Sequence, residues 1–141
     1  MHQCLNCKTN FEPGRNTLGK YCNNLCQANY QYKQYIIRWK QGTEKGYKGK
    51  TVSISNHIRK YMLEKYDYAC VKCGWNNRHP VDNLPLVEID HKDGNAKNCK
   101  ESNLAVLCPN CHAMTPTFRA RNKKSERNRK PLKHLGDAIP L

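Results

Sequence analysis

Two short stretches carry the side chains best suited to hydrolysis: Glu88-Ile89-Asp90-His91-Lys92-Asp93-Gly94-Asn95 and Leu107-Cys108-Pro109-Asn110-Cys111-His112. Cleaving a phosphodiester with water needs a base for the water and a cation for the charge on the phosphoryl group and the leaving oxygen. Asp90 offers a hard oxygen ligand, and His91 offers an imidazole, a base whose ordinary pKa lies near neutrality. His112 sits one residue past a cysteine at the start of an expected helix. Its backbone is fixed there, so its imidazole can be a second metal ligand, and a helix N-terminus nearby favours a phosphate. Neighbouring residues of a regular strand point to opposite faces. Asp90 and His91 can therefore serve one phosphate only where the strand ends, and Asp93-Gly94-Asn95 is a turn signal placed to end it. Glu88 shares a strand face with Asp90 and can either support the site or form an ordinary ion pair.

The chain has nine cysteines in 141 residues. Cys4-x2-Cys7 with Cys22-x3-Cys26 makes one set of four, and Cys70-x2-Cys73 with Cys108-x2-Cys111 makes a second. A tight turn between paired cysteines points both sulfurs inward, and two such pairs close a tetrahedral zinc site with no open position. Closed sites are structural, and in small domains such a site contributes on the order of 10 kcal/mol of folding energy. That matters in a chain only 38% apolar. A redox role for the Cys-x-x-Cys pairs needs a thioredoxin-like parallel sheet, which nothing here suggests. Cys99 is left over and reads as a spare thiol in a loop.

The elements that must hold these residues follow from periodicity and punctuation. Residues 1–26 are turn-rich. Leu25, Ala28, Tyr32, Tyr35, Ile36 and Trp39 recur at helical spacing, and Gly42 stops the run. Tyr32, Tyr35 and Trp39 read as core rather than as a platform for stacking bases. Residues 41–50 read as a mobile basic loop. A second helix starts at Ser53 or Ser55 as N-cap and runs through Ile58, Met62 and Tyr66. Strands are expected at Leu86 to Asp90 and at Leu104 to Leu107, and Pro109 opens a short helix as its first residue. The organisation is then 1–42, a finger plus helix; 43–67, a basic loop and linking helix; 68–118, the module with the candidate chemistry; and 119–141, a basic tail. His2, His57, His79 and His134 read as bystanders.

The net charge is +14 and it is polarised. Residues 1–50 hold nine basic and two acidic residues, residues 51–90 hold five of each, and the segment from 119 onward holds eight and two. Such a field attracts polyanions, nucleic acid first among them. No run approaches the roughly 18 apolar residues of a membrane span. The opening Met1-His2-Gln3-Cys4 is no apolar signal stretch, so reduced thiols in a cytoplasm are expected rather than a disulfide framework.

Asp90-His91, Asn103 and His112 resemble the H-N-H signature of the HNH endonucleases, a family with a ββα-metal fold. The nine-residue step from Asn103 to His112, the phrase Asp90-His91-Lys92-Asp93-Gly94-Asn95 and the run Asn103 to His112 all fit it. Thr115-Pro116-Thr117 and Arg121-Asn122-Lys123 resemble phage and bacterial members, and the likeness covers roughly residues 68–124. The first quartet is similar to a small zinc finger fused to some of these enzymes. The resemblance implies a small α+β chain: a zinc-stabilised ββα-metal (HNH, treble-clef-like) module with an N-terminal zinc finger and a helical linker.

By the same resemblance, Asp90 and His112 hold a catalytic divalent ion, His91 is the general base, and Asn103 braces the inter-strand loop. Cys70, Cys73, Cys108 and Cys111 hold structural zinc, and Cys4, Cys7, Cys22 and Cys26 hold a second zinc. Some members have a further histidine four residues after the last signature position; here that position is Pro116. Two protein ligands plus waters suit Mg²⁺ or Mn²⁺, and the imidazole tolerates Ni²⁺ or Zn²⁺. The implied activity is metal-dependent DNA cleavage in a bacterial cell or phage-infected host, with no small-molecule cofactor and no membrane partner. The alternative is a zinc-finger DNA-binding regulator without catalysis. Candidate phosphate contacts are Lys45, Lys48 and Lys50 in the loop, and Arg119, Arg121, Lys123, Lys124, Arg127, Arg129 and Lys130 in the tail.

Overall fold

Hydrogen bonds around the first cysteine pair start the ordered chain. In the computed structural model, which describes residues 1–15, 18–123 and 125, β1 (His2–Gln3) and β2 (Asn10–Phe11) form a short antiparallel ladder. The turn between them carries Cys4 and Cys7. Leu5 N–H donates to Lys20 O at 3.0 Å, which draws in the segment carrying Cys22. α1 (Asn24–Lys40) follows, capped by Asn23, whose Oδ1 accepts from Cys26 N–H at 2.7 Å. That cap holds Cys26 in the first helical turn.

The helical stripe is only half used. Ile36 and Trp39 are buried and Tyr32 and Tyr35 pack against the core, as expected. Leu25 and Ala28 are exposed instead. The first turns of α1 serve the cysteine cluster, and no described residue covers Leu25 and Ala28 there. Residues 41–50, expected as a loop, contain β3 (Tyr47–Lys48), which pairs with β4 (Ser53–Ile54). Gly46 makes this possible. Its φ is +85°, and a Cβ there would stand 2.5 Å from Cys99 Cβ and 2.8 Å from Ile58 Cδ1.

α2 (Asn56–Lys65) is capped by Ser55 and buries Ile58, Met62 and Leu63. Tyr66, expected within the helix, is its C-cap and lies 37% exposed. β5 (Glu88–His91) and β6 (Leu104–Leu107) then pair antiparallel, with Asp90 opposite Ala105 and His91 opposite Leu104. β6 is a continuous apolar run, and all four of its residues are buried. Both α2 and α3 (Pro109–Ala113) pack on it. One core therefore joins α1, α2, the β5–β6 hairpin and the second cysteine cluster.

The sulfurs of Cys4, Cys7, Cys22 and Cys26 lie within 4.8 Å of one another, and so do those of Cys70, Cys73, Cys108 and Cys111. Zn–S bonds of about 2.3 Å put the sulfurs of a tetrahedral site about 3.8 Å apart. Here Cys7 and Cys22 are 3.7 Å apart, Cys22 and Cys26 3.5 Å, and Cys73 and Cys108 3.6 Å. The residues fit a closed four-thiolate ion site in each cluster. Burial alone would raise the Cys4 and Cys70 thiols, but backbone N–H groups aimed at their sulfurs bring both down to about 6. Hydrogen bonding with Cys26 and Cys108, together with burial, pushes Cys22 and Cys111 up to about 12. Each cluster thus accepts its first negative charges readily and its last only with a cation.

Two outcomes check this account. Met62 is fully buried, so Met62→Ala should cost about 2–5 kcal/mol in denaturant unfolding and leave bound metal unchanged. Metal analysis should find one zinc per quartet, and Cys26→Ala or Cys108→Ala should each remove one ion. A chain that keeps its full zinc content after either change contradicts the cluster assignment.

Candidate functional site

The site is built on the hairpin and on α3. α3 is short, and two sulfurs and a proline set its start. Pro109 occupies the first position, and Cys111 N–H donates to Cys108 Sγ at 3.4 Å. His112 follows in the same turn, its N–H bonded to Cys108 O at 2.9 Å. The second cysteine cluster therefore sets the position of His112. It also alters one expectation. An N–H at the start of α3 is directed at sulfur, and a five-residue helix has little dipole to offer a phosphate.

His112 stands between two carboxylates of β5. Its Nδ1 is 2.5 Å from Glu88 Oε2, and its Nε2 is 3.5 Å from Asp90 Oδ1. Glu88 and Asp90 share a strand face at spacing two, so both reach α3. The Phe118 ring meets the His112 ring edge-on at 5.0 Å. Octahedral ligands about 2.1 Å from an ion lie about 3.0 Å apart when adjacent. The 3.5 Å between Asp90 Oδ1 and His112 Nε2 is within a small side-chain adjustment of that spacing. One carboxylate oxygen and one imidazole nitrogen are a donor set that divalent ions accept.

His91 is buried at the last residue of β5, and its Nε2 lies 3.6 Å from Cys99 Sγ. Asp90 and His91 nonetheless line one pocket of about 360 Å³, together with Glu88, His112, Phe118 and Arg119. The strand end resolves the alternation. Gly94 N–H donates to His91 O at 2.8 Å, so the chain turns at once and the pocket opens across the terminus of β5.

The loop between the strands is held from within. Asn103 Oδ1 accepts from Asp93 N–H at 3.1 Å, and its Nδ2 donates to Asp93 Oδ1 at 2.9 Å and to Asn98 O at 2.8 Å. Burial would raise the Asp93 carboxyl. Donors from Asn98, the Asn95 backbone and Asn103 outweigh that and hold it below the ordinary carboxylate value. Asn122 Nδ2 clamps the same loop from outside by donating to Gly94 O at 2.7 Å.

The structure thus brings Asp90, His91 and His112 to one pocket and places Asn103 in the loop behind it. Of the basic candidates, Arg119 lines the pocket, while Arg121 and Lys123 lie on an adjoining surface with Pro116. Lys45 lines a different groove, and Lys48 and Lys50 are exposed on the β3–β4 hairpin. Lys124, Arg127, Arg129 and Lys130 lie outside the described residues, as does His134. His2 and His79 make local contacts away from the pocket, and His57 packs on Tyr32 and Tyr35. Cys99 is a thiol in a loop, as expected, and it is also buried against His91. Phe118 also belongs to the site, and no periodic signal marked either residue.

No helix among the described residues is long and apolar enough to cross a membrane. No family model matches the chain, and no solved structure matches it. Over 91 residues the chain is 38% identical to the H-N-H endonuclease F-TflIV of Escherichia phage T5. That stretch is 64% of this chain, and the chain spans 39% of the length of the relative. Similarity to a named H-N-H endonuclease therefore coincides with a small α+β chain that carries two four-cysteine clusters able to hold metal ions.

Proposed function

We propose that this chain is a metal-dependent endonuclease of the HNH family that hydrolyses DNA phosphodiester bonds. The hairpin β5–β6 with α3 is its ββα-metal module, and the first cysteine quartet is an N-terminal zinc finger. The observation that carries this reading is the convergence of Asp90, His91 and His112 on one pocket beside a four-cysteine cluster able to hold a metal ion. The likeness to a phage H-N-H endonuclease supports it.

In this reading Asp90 Oδ1 and His112 Nε2 hold the divalent ion, Mg²⁺ or Mn²⁺ by preference and Ni²⁺ or Zn²⁺ by tolerance. When bound, the ion offsets the charge that builds on the phosphoryl group and the leaving 3′ oxygen. His91 takes the proton from the attacking water. Cys99 packs against its ring, and the loop braced by Asn103 fixes the turn that follows it. Glu88 accepts from His112 Nδ1–H, which leaves the lone pair of Nε2 on the side of Asp90. Arg119 at the pocket wall is placed to meet a phosphate oxygen. The two cysteine quartets hold structural zinc and take no part in the chemistry.

Supercoiled plasmid cleavage in Mg²⁺ or Mn²⁺ tests the reading. His91→Ala should lower the rate by about 10²–10⁴-fold and keep both zinc ions and duplex binding. Unchanged cleavage would remove His91 from the mechanism. A parent protein that binds DNA but nicks none in Mg²⁺, Mn²⁺, Ni²⁺ or Zn²⁺ would instead be a DNA-binding regulator. Glu88→Gln should weaken Mn²⁺ binding about 10–100-fold, read by calorimetry on zinc-loaded protein. Unaltered Mn²⁺ affinity would show that Glu88 does not orient His112.

A further inference from the structure

A second groove, of about 600 Å³, shares the inter-strand loop with the candidate pocket. Gly94 and Ala96 line the pocket, whereas residues 97–102 line the groove. Its other wall is the C-terminal end of α1 and the turn that follows, from Trp39 to Lys45. The floor is rigid. Trp39 Nε1–H donates to Cys99 O at 2.7 Å, and Cys99 is buried. Cys99 Sγ is also the atom 3.6 Å from His91 Nε2, so the groove floor touches the wall of the pocket.

The charge of the groove is one-sided. Lys40, Lys45, Lys97 and Lys100 all line it and all are exposed. Its two carboxylates are each held by a cation from outside the groove. Arg38 Nε pairs with Glu44 at 2.9 Å, and Lys65 Nζ pairs with Glu101 at 2.5 Å, with Tyr61 O–H donating to Glu101 as well. The carbonyls at the end of α1 are capped too. Gln41 N–H donates to Ile37 O, Gly42 N–H to Trp39 O, and Thr43 donates to Arg38 O through both N–H and hydroxyl. What the groove presents to a ligand is therefore ammonium charge.

We propose that this groove is a phosphate track for duplex DNA, taking the sugar-phosphate backbone beside the bond placed in the pocket, with Lys40, Lys45 and Lys100 as its contacts. The inference rests on the nuclease reading above and adds a binding surface to it. Lysines act as mobile point charges rather than rigid forks. The groove is lined by lysines without an arginine and offers no planar clamp for one small anion. Such a surface holds a polyanion without reading sequence and is sensitive to salt. Of these lysines only Lys45 stands out in the sequence, because Lys40 and Lys100 lie 60 residues apart and nothing local links them.

The test is the binding of a fluorescent 30-base-pair duplex by the full zinc-loaded chain, without added divalent ion, across a range of salt. Changing Lys40, Lys45 and Lys100 together to Gln should raise Kd at least about tenfold at 0.1 M salt and lower the slope of log K against log salt by about 2–3. Thermal unfolding and zinc content should stay at parent values. Each single Lys→Gln change, milder for folding, should take about one unit from the slope. A control set with Lys20, Lys60 and Lys72 changed to Gln should move the slope by less than one. An unchanged slope overturns the proposal, as does an equal fall in the control set. An unchanged slope is also the result if the groove holds an acidic protein segment instead of DNA. Because no cleavage is measured, a chain that binds through these lysines but does not cut would refute the catalytic reading and leave the groove standing.

Discussion

Four cysteine sulfurs within 4.8 Å of one another cannot all carry charge unless a cation sits among them. Most of the fold around the candidate site depends on that constraint. Cys70 and Cys73 precede the β5–β6 hairpin and Cys108 and Cys111 follow it, so closing the cluster joins the two ends of the module. A helix as short as α3 would not persist by itself. Held at Cys108 and Cys111 and started by Pro109, it becomes a fixed mount for His112. An ion bound there would cross-link the module and do what additional apolar surface does in larger domains.

With α3 fixed, the rest of the site follows from strand geometry. The alternation of β5 sends Glu88 and Asp90 toward His112, one carboxylate to each ring nitrogen. His91 would point away on a longer strand. The turn directly after it brings its ring to the same pocket, where Cys99 packs against it. Asn103 sits just before β6 and bonds to Asp93 and Asn98 of the loop that makes this turn. Three short elements thus converge because each ends within a residue or two of the side chain it presents.

Covalent spacing was the clearest signal in the sequence. Both quartets, Pro109 at the start of α3, Ser55 as an N-cap and β6 at Leu104 to Leu107 all rest on local rules and stand in the structure. The inward packing of Tyr32, Tyr35 and Trp39 was legible from period alone. Leu25 and Ala28 share the helical period yet are exposed, because periodicity shows that a face exists, not that something covers it. The β3–β4 hairpin was missed because its pairing depends on Gly46 pressing against Cys99 and Ile58, contacts made across the fold. Cys99 looked spare because its partners, Trp39 and His91, are distant in sequence or out of register with it. The role of Glu88 stayed open until the ring it faces was placed.

Charge placement ties these parts together. On the proposed reading, a divalent cation between Asp90 and His112 would be poorly served by lysines beside it, since an ammonium would pair with the carboxylate and compete for the ion's position. Among the described residues, the pocket wall holds one permanent cation, Arg119, which lies over the Phe118 ring with its guanidinium 4.9 Å from the ring centre. The lysines stand across the loop, separated from Asp90 by the buried Cys99 and His91. A polyanion held along the lysines would meet the carboxylates only at the pocket, where repulsion is relieved once the cation is in place. On the proposed reading, affinity and chemistry would be carried by different residues on the two sides of one loop, and neither set would have to be weakened for the other to work.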